Sequence, residues 1–235
     1  MQAIILAGGL GQRLRATLPH LPKPMAPIQH KPFLAHLLDY LKQQGVRHVV
    51  LAVHYLRECI YNYFQHQYHN ITIAYANEEE PLGTGGAIVY AMTLLNGDEP
   101  VFVLNGDTFV KFNYHALYQQ HVHHQAAITM GLRQVDHCER YGKVIVKNHI
   151  VTAFKEKGEI GPGLINAGVY LMNPDLFAQV TLPKQFSFEH DFLHPYVHNI
   201  KPQAFITEDY FIDIGIPEDY ARAQAEMKLF ICEND

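Results

Sequence analysis

Three cysteines in 235 residues, Cys59, Cys138 and Cys232, are too few, too scattered and odd in number for a disulfide framework or a zinc site. Long apolar runs are missing too. No stretch approaches the roughly 20 residues that span a bilayer, and no basic region precedes the short apolar run at the N-terminus. A cytoplasmic chain with no membrane partner is the expectation. Lysine and arginine are dispersed and the net charge is -5, so there is no basic stripe to neutralise a nucleic-acid backbone. No repeat, low-complexity tract or linker divides the sequence, which points to a single domain over residues 1–235.

What is present is the balance of a compact globular protein, 48% hydrophobic and 17% charged. Apolar runs at "QAIILA", "HVVLAVHY", "ITIAYA" and "VFVLN" read as strands, and "KPFLAHLLDYLKQQG" reads as an amphipathic helix, with Pro32 near its first turn and Gly45 beyond its last. Such alternation predicts an α/β fold with a mostly parallel, mixed sheet flanked by helices. From about 130 to 205 the strands "AAITMGL", "KVIV" and "LINAGVYLM" break strict alternation, so the expected halves are about 1–125 for a nucleotide and about 126–225 for a smaller subdomain.

Sixteen histidines are unusual, and "HVHH" at 121–124 places His121 and His124 where one helix face could carry a metal. With no carboxylate or cysteine nearby to complete a ligand set, a solvated helix surface is the plainer expectation.

The chemistry concentrates around "LAGGLGQRL" at 6–14, a glycine loop behind a strand, where backbone N–H groups can approach phosphate oxygens unhindered by Cβ atoms. It is not a Walker A loop, lacking Lys-Ser or Lys-Thr, and it lacks the spacing of a dinucleotide-binding turn. Cations follow it, Arg13 as a fork and Lys23 in "LPKP" as a mobile point charge. Two carboxylates close later apolar runs, Asp107 in "VFVLNGDT" and Asp213 in "YFIDIGIPEDY". Converging from strand ends, they suit Mg²⁺, which keeps waters and takes phosphate oxygens.

In order, "LAGGLGQRL", "LPKP", "EEPLGTGGAI", "LNGDT", "RYGKV", "FKEK", "INAGVYLM" and "YFIDIGIPEDY" resemble the motifs of the sugar-1-phosphate nucleotidylyltransferases, from residue 1 to about 225. The resemblance implies a Rossmann-like nucleotidyltransferase fold and attack of an anomeric phosphate on the α-phosphorus of a nucleoside triphosphate. It puts the nucleotide against Leu6, Ala7, Gly8, Gly9, Gly11 and Gly83, with Arg13 on the leaving pyrophosphate and Lys23 on the group in transfer. Asp107 and Asp213 would hold Mg²⁺. Glu156 would meet sugar hydroxyls and Lys157 the sugar phosphate, with Asn105, Gly142, Asn166 and Gly168 lining that pocket. Gln12 stands where the family usually has Thr or Ser, and Ala16 replaces a common proline; neither touches the charged set. A chain ending near 235 leaves no room for the β-helical extension of some relatives, so one activity is expected.

Some relatives keep the fold as regulatory subunits, but every charged position that catalysis requires is present here. The resemblance favours GTP as the nucleotide, with UTP as the runner-up. Glu80, in "EEE" at 78–80, could accept from the guanine N1–H and exocyclic amine, or be one of a solvated acidic run. The substrates expected are GTP and a sugar 1-phosphate, and a homo-oligomer is left open.

Overall fold

A computed structural model describes residues 1–9, 14 and 18–231, the side chains of 228–231 excepted. The leading half alternates as its pattern predicts. After β1 (Gln2–Leu6) come a short ribbon, β2 (Pro27–Ile28) and β3 (Lys31–Pro32), then α1 (Phe33–Gln43), β4 (His48–Val53), α2 (Arg57–Phe64), β5 (Gln67–Tyr68), β6 (Ile71–Asn77), α3 (Gly83–Met92) and β7 (Val101–Asn105). Pro32 caps α1, where its missing N–H costs nothing, and Gly45 beyond the helix takes a left-handed conformation. Short β8 (Thr108–Val110) and α4 (Tyr114–His123) follow.

From there strands dominate: β9 (Ile128–Val135), β10 (Lys143–Lys147), β11 (Ile150–Lys155) and β12 (Gly163–Met172). A π-helical turn over Phe188–Leu193 leads into α5 (His194–Ile200), and β13 (Gln203–Thr207), β14 (Phe211–Asp213) and α6 (Pro217–Ile231) complete the chain.

One ten-stranded sheet runs through both halves in the order β10-β11-β13-β9-β12-β7-β1-β4-β6-β5. Pairs β7–β1, β1–β4 and β4–β6 are parallel, whereas β12 runs antiparallel to both β7 and β9. This is the Rossmann-like α/β arrangement that the alternation implies. Alternate side chains of each central strand feed opposite faces. Ile5, Leu51, Phe102 and Leu104 meet α1, α2, α4 and α6, while Ile4, Val50, Val103 and Met130 meet α3, the π-helical turn and α5. Each of these fully buried side chains contributes about 1.5–3 kcal/mol relative to exposure.

The histidine cluster dissolves as a metal site. His121 is 2% exposed, with its ring nitrogens bonded to Thr129 Oγ1 at 2.9 Å and Asn173 Oδ1 at 3.0 Å. Burial lowers its pKa, so it is a neutral core residue, neither ligand nor solvated surface. Among the described residues no group of three or more His, Cys, Asp or Glu side chains could hold a metal, and no helix is long and apolar enough to cross a membrane.

Candidate active site

The carboxyl ends of β1 and β7 lie side by side in register, Leu6 against Asn105, and the chain leaves both toward the same crevice. Gly106 N–H donates to Leu6 O at 2.9 Å, which stitches the glycine loop to the strand end that presents Asp107. Residues 108–110 then pair with β14, Thr108 opposite Asp213, and Ile214 N–H donates to Asp107 O at 3.0 Å. A two-stranded ladder therefore brings together aspartates more than a hundred positions apart.

Lys23 opens a helical turn framed by Pro22 and Pro24, and its Nζ lies 3.0 Å from Asp107 Oδ2. Asp213 is held by Gly215 N–H, which donates to its Oδ1 at 2.8 Å. Burial first, and then the Asp107 carboxylate, push Asp213 up to about 6, against the pull of Lys23. Two hard carboxylates that repel each other are a donor set that fits Mg²⁺, which needs only one or two of them and completes its shell with water and phosphate oxygens. Lys23, Asp107 and Asp213 thus lie together near the ends of β1, β7 and β14.

Arg13 and Gly11 lie outside the described residues, as do Gln12, Ala16 and Cys232. Gly8 and Gly9 follow Leu6 and Ala7 into the crevice, and a side chain at Gly8 would meet Glu78 Oε1 at 3.2 Å. That neighbour distinguishes the three glutamates at 78–80. Glu80 is exposed, whereas Glu78 is 7% exposed, faces the glycine loop, and accepts from Leu82 N–H at 2.9 Å through Oε2. Burial raises its pKa, partly offset by the Leu82 bond. Sequence reasoning passed over Glu78 because it saw three equivalent glutamates.

Gly83 is a packing position. Its φ is +70° and an added Cβ would sit 2.4 Å from Phe186 O, while one at Gly85 would sit 2.0 Å from the Phe186 ring. Phe186 and Leu82 exchange bonds with this turn, Gly85 N–H to Phe186 O at 2.9 Å and Phe186 N–H to Leu82 O at 3.0 Å. The glycines of "PLGTGGAI" therefore admit the 182–188 segment against α3. A cleft of about 740 Å³ opens between α3 and that segment, reaching from Glu78 past Tyr90 to Phe177. Lys23, Asp107 and Asp213 are not among its lining residues.

Strand register groups several of the positions expected at the sugar phosphate. Lys143 stands opposite both Lys155 and Ile165, so Gly142, Glu156 and Asn166 share one end of the three strands. Glu156 and Lys157 are exposed in the turn after β11. Gly168, at φ +67°, lies so close to Asn105 that a Cβ would meet its Nδ2 at 2.5 Å, which couples this floor to the strand carrying Asp107. Arg140 Nη2 bonds buried Asp219 Oδ2 at 2.5 Å and ties the loop before Gly142 to the start of α6.

The nucleotidyl transferase family matches residues 2–228 of this sequence. The chain belongs to the nucleotidyl transferase family. Two relatives named D-glycero-alpha-D-manno-heptose 1-phosphate guanylyltransferase are similar over nearly the whole length. The Aneurinibacillus thermoaerophilus protein is 46% identical over 98% of this chain and 100% of its own. Its Campylobacter jejuni counterpart is 45% identical over 94% and 97%. Among solved structures, HddC from Yersinia pseudotuberculosis complexed with GMP-PN superposes with a TM-score of 0.84 at 35% identity, covering 96% of this chain and 99% of that one. Membership of the nucleotidyl transferase family agrees with the crevice geometry, in which a glycine loop and two aspartates face the same space.

Proposed function

We propose that the chain is a guanylyltransferase that joins GMP from GTP to D-glycero-α-D-manno-heptose 1-phosphate, releasing pyrophosphate. The observation that carries the reading is the convergence of Lys23, Asp107 and Asp213 between the Gly8–Gly9 loop and the floor made by Asn105 and Gly168. The names of the two relatives with 45–46% identity support the choice of sugar and base.

In the reaction an oxygen of the sugar phosphate attacks the α-phosphorus of GTP. A P–O bond forms there as the bond to the β,γ-pyrophosphate breaks, and pyrophosphate leaves with the electron pair. The backbone at Gly8 and Gly9 receives the triphosphate, and Arg13 is assigned to the departing pyrophosphate. Lys23 neutralises the α-phosphoryl oxygens, where charge develops in the displacement. Asp107 and Asp213 would hold Mg²⁺, whose contribution when bound is to neutralise and orient phosphate oxygens. Glu78 offers Oε1 to guanine donors, an arrangement that uracil cannot match with a single N–H. Lys157 meets the incoming sugar phosphate and Glu156 its hydroxyls. A cytoplasmic setting, where GTP is available, suits this chemistry.

The experiment is pyrophosphate release by the purified protein with Mg²⁺, each of four nucleoside triphosphates, and a panel of sugar 1-phosphates. Highest kcat/KM for GTP with the heptose 1-phosphate is expected. Preference for mannose 1-phosphate or for UTP would reassign the substrate, and no turnover with any pair would sink the reading.

A further inference from the structure

Residues 59–77 contain no Asp, Glu, Lys or Arg, in a sequence that is 17% charged. They form most of α2 and the hairpin of β5 and β6, with β5 at the border of the sheet, separated from β1 by β4 and β6. A charge-free stretch is ordinary in a core. Here it is on the surface, because Tyr61 and Tyr63 are 45% and 46% exposed and the side chains of Asn62, Gln65 and Gln67 are exposed beside them.

That surface is hollow. Tyr61, Asn62, Gln65, His66 and Gln67 line a cavity of about 420 Å³, within the roughly 300–1,000 Å³ of small-ligand sites. The Tyr61 ring is held by Tyr75 and His66, with centroids 5.3 and 5.5 Å away. Gln65 ends α2 at φ +51° and ψ -145°, close to a region that is essentially glycine's own. Its N–H donates to Tyr61 O at 2.8 Å and its carbonyl accepts from the Tyr75 hydroxyl, so the residue is fixed in that conformation from both sides. The turn would form more readily with glycine. What glutamine adds is an amide in the cavity wall.

The lining selects the ligand chemistry. No Asp, Glu, Lys or Arg is part of it, so neither a phosphate nor an ammonium would meet a fixed counter-charge. Among the described residues the Asn62 and Gln65 side chains have no hydrogen-bond partner, which leaves each amide able to donate and to accept. An exposed tyrosine beside such amides matches a sugar ring, whose C–H face lies on an aromatic and whose hydroxyls both donate and accept. A second copy of the chain fits less well, since an isologous contact centred here would set hollow against hollow. We propose that this cavity binds an uncharged saccharide, with Tyr61 as the stacking platform and Asn62 and Gln65 bonding its hydroxyls. The site is separate from the guanylyltransferase reading, whose sugar substrate carries a phosphate, and Lys23, Asp107 and Asp213 are not among its lining residues.

The test is an NMR titration of the backbone amides of the whole chain with the methyl glycosides of D-glucose, D-galactose and D-mannose and with maltotriose, repeated on Tyr61→Ala, Asn62→Ala and Gln65→Gly. Saturable shifts confined to residues 61–67 and their neighbours are expected with at least one probe, while Gly8, Gly9 and Asp107 stay in place. Tyr61→Ala should weaken that probe roughly tenfold or more, and Asn62→Ala roughly two- to tenfold, the range for one neutral hydrogen bond. Gln65→Gly should weaken it by about as much as Asn62→Ala with an equal or higher melting temperature, since glycine relaxes the turn, and this separates loss of the site from loss of the fold. Glucose 1-phosphate should bind there no more tightly than methyl glucoside. No saturable shift in 61–67 with any probe, affinities unchanged in all three variants, or tighter binding of glucose 1-phosphate would each overturn the proposal. Shifts in 61–67 that follow protein concentration without sugar would also overturn it, making the face a contact between copies. None of these readouts uses turnover, so this proposal and the guanylyltransferase reading fail separately.

Discussion

Lys23 Nζ bonds Asp107 Oδ2 at 3.0 Å, so the cation assigned to the substrate phosphate occupies an oxygen assigned to the metal. The same ammonium pulls against the repulsion that raises Asp213. On the metal-site reading proposed above, a divalent cation would have to compete with the lysine for Asp107 before nucleotide arrives. Lys23→Met should tighten nucleotide-free Mn²⁺ binding severalfold while cutting kcat by roughly 10²–10³, the cost of removing a donor aimed at developing charge. Titration calorimetry with Mn²⁺ checks the first effect, and unchanged affinity would show that Lys23 does not guard the site.

Asp213 makes a pH-dependent prediction. Its carboxyl, about 6 in the folded chain against an ordinary 3.8, binds its proton more tightly folded than unfolded. The associated stability is fully present below about pH 4, falls as pH rises to about 6, and is absent above that. Asp213→Asn mimics the protonated form. In metal-free buffer its melting temperature should exceed that of wild type by a margin that grows between about pH 4 and pH 6 and then levels off, while turnover with Mg²⁺ is lost. A margin independent of pH would mean that Asp213 ionises normally.

Glu78 and Glu80 separate cleanly by substitution. Glu78→Gln puts donors opposite guanine donors and should lower the GTP-to-UTP ratio of kcat/KM by roughly tenfold or more. Glu80→Gln, altering an exposed side chain, should leave that ratio within about twofold. Should Glu80→Gln move the ratio and Glu78→Gln leave it alone, the base is read from the exposed side of the acidic run.

Gly85 tests the packing role of the glycine motif. An added methyl would lie 2.0 Å from the Phe186 ring, in a core where Phe186 is 4% exposed. Gly85→Ala should destabilise the fold by about 1–3 kcal/mol through overpacking, and Gly85→Ala with Phe186→Leu should recover part of it. Denaturant midpoints measure both; equal midpoints for wild type and Gly85→Ala would show that the segment can shift away.

Elements with a local cause were readable in the chain. The strand ending at Asn105, just before Asp107, and the helix between Pro32 and Gly45 announce themselves by period and punctuation. His121 was readable as well, since Tyr114, Leu117 and His121 fall on one helical stripe and all three are buried, yet the run of histidines drew attention to the wrong face. Nothing local reports the pairing of Asp213 with Thr108, the seating of Phe186 on Gly85, or the reach of Glu189 to Asn166. Each joins segments from 23 to more than 100 positions apart, decided by which surfaces the whole sheet buries. The choice of Glu78 over Glu80 has the same origin, because burial distinguishes side chains that are chemically identical.

Lys157 decides between a two-substrate enzyme and a nucleotide-binding chain. It lies exposed in the turn after β11, next to Glu156, on the end of the sheet that also carries Gly142 and Asn166. On the reading proposed above, an exposed ammonium at that end of the sheet would move onto an incoming phosphate, reduce its repulsion from the α-phosphate of GTP, and orient the attacking oxygen. Lys157→Met should therefore raise the KM for the sugar 1-phosphate roughly tenfold or more and lower kcat, with the affinity for Mg²⁺-GTP, measured by calorimetry, within about twofold of wild type. A lysine that is merely solvated predicts no change in either quantity. Parallel loss of GTP affinity would instead place Lys157 on the triphosphate, and the sugar phosphate would need another cation.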